Sequence, residues 1–410
     1  MAPKPGTFVI VGGGLAGAKA AEALRDKGFD GDVVLFATEN HLPYERPPLS
    51  KEYLAGKKKV DEFTPHPADW YRDQHVDLRL GTPVTAVHSH GHLIGLSDGT
   101  TLHYDKLLLA TGSAPRRPPI PGADADRVHY LRTIDDSDAL SAALTKDSSV
   151  AIVGGGWIGL EVAADARRRG ANVTVVEAAE VPLGVLGAEA AQVFAKLHRD
   201  HGVDLRLGAK VEEVTTTDGA ATGLRLGDGS AIDADAVLVA VGAAPNTALA
   251  QAAGLTMGAD GGVLVDSTLC TSDPDIYAVG DIASAQHPLF GTRIRTEHWA
   301  NALKQPAVAV AGMLGSPAEY DELPYFFTDQ YDLGMEYVGW APAYARAVFR
   351  GDVDGREFVV FWLDDQNRVL AGMNVNVWDV LDDVKALIRS QSPVDPDKLA
   401  DPQQALGSVI

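Results

Sequence analysis

Two stretches of this sequence carry three glycines at one spacing, each behind β-branched residues and ahead of an alanine-rich run. The first is Val9-Ile10-Val11-Gly12-Gly13-Gly14-Leu15-Ala16-Gly17, and the second is Val153-Gly154-Gly155-Gly156-Trp157-Ile158-Gly159. In such a turn Gly12 and Gly154 permit a tight passage from strand to helix. Gly14 and Gly156 leave bare backbone for a pyrophosphate at the helix N-terminus, and Gly17 and Gly159 let the helix pack close to the strand. One such match is weak, because ordinary strand-to-helix turns often carry glycine. Two in full context point to two bound dinucleotides.

A dinucleotide-binding unit usually ends its second strand in an acid, about 20 residues past the glycines, that holds the ribose hydroxyls. Glu177 stands there in the second copy, closing Val173-Thr174-Val175-Val176-Glu177. A carboxylate in that place accepts hydrogen bonds from a free 2′-hydroxyl and repels a 2′-phosphate, which predicts NADH over NADPH. The first copy has Phe36 and Ala37 instead, with Glu39 further on. Either Glu39 reaches back or the first nucleotide is held in another way. Two nucleotides on one chain imply two redox carriers, a flavin and a nicotinamide. Only the flavin can take a hydride and release electrons singly.

The elements that must position these residues repeat as well. Residues 7–36 read as strand, glycine turn, helix (Lys19 to Lys27) and strand, and residues 150–177 read the same way with a helix from Ile158 to Arg168. Short strands around Leu78 to Leu80, Val84 to Val87 and Leu93 to Leu96 lead to a hairpin at Ser97-Asp98-Gly99. Leu107 to Gly112 then closes the first unit, as Ala236 to Gly242 closes the second. The prolines of Pro43 to Lys51 exclude a regular helix and make a shaped loop. From about Leu323 the pattern changes to aromatic-rich strands, Tyr325 to Phe327, Glu336 to Trp340, Phe358 to Leu363 and Val369 to Asn374, then a helix from Trp378 to Arg389. Pro393, Pro396 and Pro402 mark the last residues as a tail. The expected plan is α/β: residues 1–112 with 242–320, residues 113–241, and a C-terminal α+β domain at 321–410.

At 410 residues with 46% hydrophobic composition, the chain exceeds one typical core and divides into domains. No apolar run approaches the roughly 20 residues that span a bilayer. The first strand begins too early for a signal peptide, and the single cysteine, Cys270, forbids an internal disulfide, so a cytoplasmic home is expected. Cys270 itself reads as a small buried hydrophobe. The net charge of -21 argues against nucleic-acid and anionic-membrane binding. An acidic partner would need a local basic patch, for which Arg293 and Arg295 are candidates, whereas Lys57-Lys58-Lys59 reads as solvated surface.

These pieces resemble, over essentially the full length, the FAD-dependent ferredoxin reductases that serve oxygenases, a glutathione-reductase-like group with two Rossmann-like domains. The resemblance rests on the paired fingerprints, the loop Pro43-Tyr44-Glu45-Arg46-Pro47-Pro48-Leu49-Ser50-Lys51, Ala110-Thr111-Gly112, Val241-Gly242 with Pro245-Asn246, Val279-Gly280-Asp281, and Trp299 in Glu297-His298-Trp299-Ala300-Asn301. It implies that the first unit binds FAD, with Arg46 and Lys51 beside it and Lys51 at the flavin N5, paired with Glu161. It implies further that Asp281 meets the ribityl or pyrophosphate region, that Trp299 lies against the isoalloxazine, and that Val84 and Arg132 are FAD contacts. The bland counterparts are a helix-stabilising acid for Glu161, an N-cap for Asp281, a core Trp299 and an interdomain salt bridge for Arg132. Ala244 and Gly184 depart from the pattern, standing where relatives often carry arginine.

The expected activity is electron transfer from NADH through FAD to a small iron-sulfur ferredoxin, with no nucleophile or proton-transfer base. A disulfide or peroxide reductase would need a cysteine near the flavin, and the Pro43 to Lys51 loop has none. A rubredoxin or monodehydroascorbate reductase shares the chemistry and differs in its acceptor. A non-catalytic flavoprotein of the apoptosis-inducing-factor kind is the rival from another class.

Overall fold

The structure, a computed structural model, describes residues 6–409. The outermost ends of the expected domains, residues 1–5 and 410, lie outside the described residues. The chain forms two compact units. The first takes the chain up to Arg46, Lys59–Ala114 and Ala243–Pro324, and the second takes Pro47–Lys58, Pro115–Gly242 and the chain from Tyr325 onward. The proline-rich loop is thus divided after Arg46, with Lys51 in the second unit.

Each unit is built on a five-stranded parallel sheet. In the first the order is Ile276–Ala278, Lys106–Leu109, Thr7–Val11, Asp32–Phe36, Val76–Arg79. In the second it is Val128–His129, Ala236–Val239, Ser149–Val153, Asn172–Val176, Asp204–Arg206. The central strands are buried almost throughout, as parallel sheets covered on both faces require. Both glycine turns feed helices, Leu15–Asp26 and Trp157–Arg168, so the first helix begins earlier than the expected Lys19. Each unit also carries a three-stranded antiparallel sheet, Val84–His88 with Leu93–Leu96 and Thr101–His103, and Val211–Thr217 with Ala220–Leu226 and Ala231–Asp233.

The duplication extends to the sheet edge. Val76-Asp77-Leu78-Arg79-Leu80-Gly81 recurs residue for residue as Val203-Asp204-Leu205-Arg206-Leu207-Gly208. In both copies the arginine pairs with the aspartate two residues before it, at 2.7 and 2.9 Å, and the glycine has positive φ, +59° and +65°. Each arginine carbonyl accepts the N–H of the residue ending the second strand, Ala37 or Glu177. Ala37 is therefore the structural counterpart of Glu177.

The C-terminal part of the second unit is an antiparallel sheet ordered Tyr325–Gln330, Leu333–Gly339, Val369–Val375, Glu357–Leu363, Arg346–Asp352. The helix that covers it spans Leu381–Ser390, and a Cβ on Gly372 would come within 2.5 Å of Val384. Arg346–Asp352 is a strand that the sequence reading lacks. The expected tail needs correction, because it folds. Asp395 caps a short helix, Pro396–Ala400, and Leu399, Leu406 and Val409 are buried. Arg350 holds this segment by donating to the carbonyls of Leu399, Asp401, Pro402 and Gln404. No helix among the described residues is long and apolar enough to cross a membrane.

Candidate functional site

The first glycine turn divides its labour. Gly12 has φ +127°, and a Cβ there would lie 2.0 Å from the Ala110 carbonyl oxygen. A Cβ on Gly17 would lie 2.0 Å from the Gly12 oxygen, so both glycines are required by packing alone. Gly14 is different. It caps the helix, and nothing lies within 4 Å of where its Cβ would be. That bare backbone at a helix N-terminus suits a pyrophosphate. Leu15 and Ala16 are buried in the first turn behind it. Beside the turn, Thr111 Oγ1 donates to the Asn246 carbonyl at 2.6 Å, and Asn246 N donates to Gly112 O at 2.8 Å. These bonds join the loop that begins at Ala110 to Pro245-Asn246.

At the end of the second strand a Cβ on Gly13 would meet the Ala37 Cβ at 2.2 Å, so even alanine at position 37 demands glycine opposite. Charge sits two residues on. Arg46 Nη2 pairs with Glu39 Oε1 at 2.8 Å, Tyr44 donates to Glu39 Oε2 at 2.6 Å, and Arg46 Nη1 donates to the Tyr44 hydroxyl at 2.8 Å. Burial alone would lower the Arg46 pKa, but Tyr44, Glu39 and Asp281 outweigh it and hold the guanidinium above its ordinary value.

Asp281 is buried, in a 3-10 turn behind Gly280, whose φ is +75°. Ser113 donates to its Oδ2 at 2.6 Å, and Gln305 accepts the Gly280 N–H at 2.7 Å. Trp299 opens the helix Trp299–Met313 and donates its indole N–H to Glu45 at 2.9 Å. Before it, burial drives the His298 pKa down to about 4 despite the opposing pull of Asp281. Val84 starts its antiparallel strand, half-buried.

In the second unit Gly154 and Gly159 repeat the packing roles, with Cβ positions 2.4 Å from Ala240 O and 2.2 Å from Gly154 O. Gly156 repeats the open place. Glu177 is fixed by two backbone donors, Gly155 N to Oε2 at 2.7 Å and Ala179 N to Oε1 at 2.8 Å. Ile158 and Val241 are exposed apolar side chains near this turn, and Gly242, φ +102°, accepts the Arg116 N–H at 2.9 Å. Trp157 lies 4.8 Å from the Phe326 ring, centroid to centroid. Lys51 and Glu161, from the proline loop and the helix Trp157–Arg168, form a buried ion pair at 2.8 Å. Arg132 precedes the helix Ile134–Ala143, its backbone N–H on Asp136 at 3.0 Å.

A sequence model of the pyridine nucleotide-disulphide oxidoreductases matches residues 6–306, and a reductase C-terminal model matches residues 325–410. The chain belongs to the pyridine nucleotide-disulphide oxidoreductase family. It is 42% identical to the ferredoxin reductase subunit of 5,5′-dehydrodivanillate O-demethylase from Sphingobium sp., covering 96% of this chain and 95% of that one. It is 40% identical to the ferredoxin–NAD(+) reductase component of the anthranilate 1,2-dioxygenase system of Burkholderia cepacia, over 98% and 99% of the two chains. Among solved structures, the covalent putidaredoxin reductase–putidaredoxin complex matches with a TM-score of 0.95 and 36% identity, over 99% of this chain and 98% of the matched chain. The expected α/β architecture, FAD and NAD(H) as cofactors, and oxidoreductase class are those of this family.

The geometry fits the two dinucleotides of the family. Both helix N-termini are bare at their central glycine, and each unit presents a charged group past its second strand, Glu39 with Arg46 or Glu177. The disulfide in the family's name has no counterpart, since Cys270 is the one cysteine and lies half-buried against Asp273. Of the two arginines expected in a basic rim, Arg293 is exposed and Arg295 is drawn into an ion pair. Arg293 donates to the carbonyls of Val265 and Ser284, and the 10%-exposed Arg295 is paired with Glu297 at 2.6 Å. Tyr44, Ser113 and the residues around Glu161 escaped sequence reasoning. Ser113 and Thr328 carry one local signal, a polar side chain buried on a strand, and Tyr44 lies in the proline loop.

Proposed function

We propose that this chain is an NADH-dependent flavoprotein reductase that passes electrons through FAD to a small iron-sulfur ferredoxin feeding an oxygenase. The observation that carries the reading is the duplicated sheet with its two bare-glycine turns, one followed by a fixed glutamate and the other by alanine. The names of the relatives support ferredoxin as the acceptor over rubredoxin or monodehydroascorbate. When bound, FAD takes two electrons from NADH together and yields them singly, which a nicotinamide cannot do.

The chain's own residues bind and tune. Gly14 and Gly156 present backbone N–H groups to the two pyrophosphates. Glu177 takes the NADH ribose hydroxyls and repels a 2′-phosphate. Arg46, with Glu39 and Tyr44, and Asp281, with Ser113, hold the FAD, with Val84, Thr111, Arg132 and Trp299 as further contacts by resemblance. By the same resemblance Lys51 would approach the flavin N5, and Glu161 offsets the cost of burying that cation. A cytoplasmic setting belongs to the same proposal, because NADH is the electron source and one cysteine needs no oxidising compartment.

The test is anaerobic rapid mixing of the purified yellow protein with NADH or NADPH, followed by reduction of an added ferredoxin. Fast bleaching by NADH, slow bleaching by NADPH and ferredoxin turnover are expected. A protein without flavin, or one that neither nucleotide reduces, would overturn the proposal.

A further inference from the structure

Glu161 is held by more than Lys51. Its Oε2 accepts from Ser50 Oγ, and its Oε1 accepts from Thr328 Oγ1 at 2.6 Å as well as from Lys51 Nζ at 2.8 Å. Thr328 and Gln330 alternate with the exposed Asp329 on the strand Tyr325–Gln330, so the two share its buried face. Gln330 Nε2 lies 3.2 Å from Thr328 Oγ1, and Gln330 Oε1 lies 2.8 Å from Nε2 of His198 on the helix Ala188–Asp200. Glu161, Thr328, Gln330 and His198 are all buried.

The direction of every hydrogen in this chain is determined. A carboxylate has none to give, so Thr328 spends its only hydroxyl hydrogen on Glu161 and can only accept from the Gln330 amide. The Gln330 oxygen then faces His198, which must carry its hydrogen on Nε2. His198 Nδ1 keeps a lone pair, buried and without a hydrogen-bond partner among the described residues. A proton added there would find no acceptor, so His198 serves as a neutral donor. Nothing in the chain can reverse without breaking a bond to Glu161.

We propose that Thr328, Gln330 and His198 are positioning residues for the Lys51–Glu161 pair. Their one-way run of donors fixes the Glu161 carboxylate in place and aims it at the Lys51 ammonium, which sets the field that Lys51 brings to its ligand. The inference rests on the proposed placement of Lys51 at the flavin N5.

The experiment measures the flavin midpoint potential of the holoenzyme for wild type, Lys51→Met, Thr328→Val and Thr328→Ser. Without the Thr328 hydroxyl the carboxylate is less neutralised and Lys51 less well held, and both effects disfavour the electron-rich flavin. Thr328→Val is expected to make flavin reduction about tenfold less favourable, about 30 mV for a two-electron couple, in the same direction as Lys51→Met. Thr328→Ser is expected to restore the wild-type value, which a packing role for the methyl group would not allow. If Thr328→Val loses its flavin, Gln330→Met takes its place under the same criterion. A shift in Lys51→Met with none in the threonine or glutamine variant overturns this inference and leaves the Lys51 placement standing. No shift in Lys51→Met overturns the placement and the inference together.

Discussion

A carboxylate that already accepts two backbone N–H groups has its remaining lone pairs aimed, and Glu177 is held in this way by Gly155 and Ala179. Such an acid discriminates by geometry as well as by charge, since it cannot swing aside for a 2′-phosphate without losing both bonds. Replacing it by alanine removes charge-assisted hydrogen bonds worth about 1.5–3 kcal/mol, or roughly 10–100-fold in kcat/KM. We expect Glu177→Ala to lose that much with NADH, mostly through KM, while NADPH stays level or improves. A ratio of NADH to NADPH efficiency unchanged from wild type would remove Glu177 as the ribose ligand. The counterpart in the first unit is Ala37, packed so close to Gly13 that a Cβ on that glycine would lie 2.2 Å from its own. In the first unit the charge past the second strand is that of Glu39, pinned by Tyr44 and Arg46.

Among the elements, the glycine turns separate packing from binding. Gly14→Ala meets no atom within 4 Å, whereas Gly17→Ala drives a Cβ to 2.0 Å from a backbone oxygen. We expect Gly14→Ala to melt within about 1 kcal/mol of wild type while losing at least tenfold in flavin affinity. Gly17→Ala should cost about 1–3 kcal/mol or more even without flavin. Thermal melts of apoprotein beside flavin retention on dialysis check both. The roles of these turns were legible in the sequence because φ and close approach are local demands that only glycine meets. Thr328, Gln330 and His198 were not, because tertiary packing brings them to Glu161 across 167 residues and to one another across 132. The edge strand Arg346–Asp352 was hidden for a related reason, since its Arg350 serves the C-terminal segment. Arg350→Ala strips four carbonyls of a charged donor and should destabilise the unit by about 2 kcal/mol in denaturant titrations.

For the molecule as a whole, two histidines with strongly lowered pKa, His198 in the second unit and His298 in the first, contribute to its response to acid. Burial pulls His198 in the second unit and His298 in the first down to about 4 from the ordinary 6.5. Gln330 opposes this at His198 and His201 reinforces it, while Asp281 opposes it at His298. Between pH 6.5 and 4 the unfolded chain binds a proton at each site and the folded chain does not. The unfolded state therefore gains as pH falls, and stability rises with pH through that window and levels off above it. The full effect is on the order of 3 kcal/mol per histidine, reached near pH 4. The many carboxylates of this acidic chain also titrate towards that end, so the useful quantity is the difference between wild type and variant. His198→Gln keeps a donor within reach of Gln330 and removes the titrating ring. Its urea midpoint, measured from pH 7.5 to 4.5, should fall less steeply on acidification than that of wild type. Parallel curves would mean that His198 takes up its proton in the folded protein, on Nδ1, and the run of donors ending at Glu161 would then begin at a charged ring rather than a neutral one.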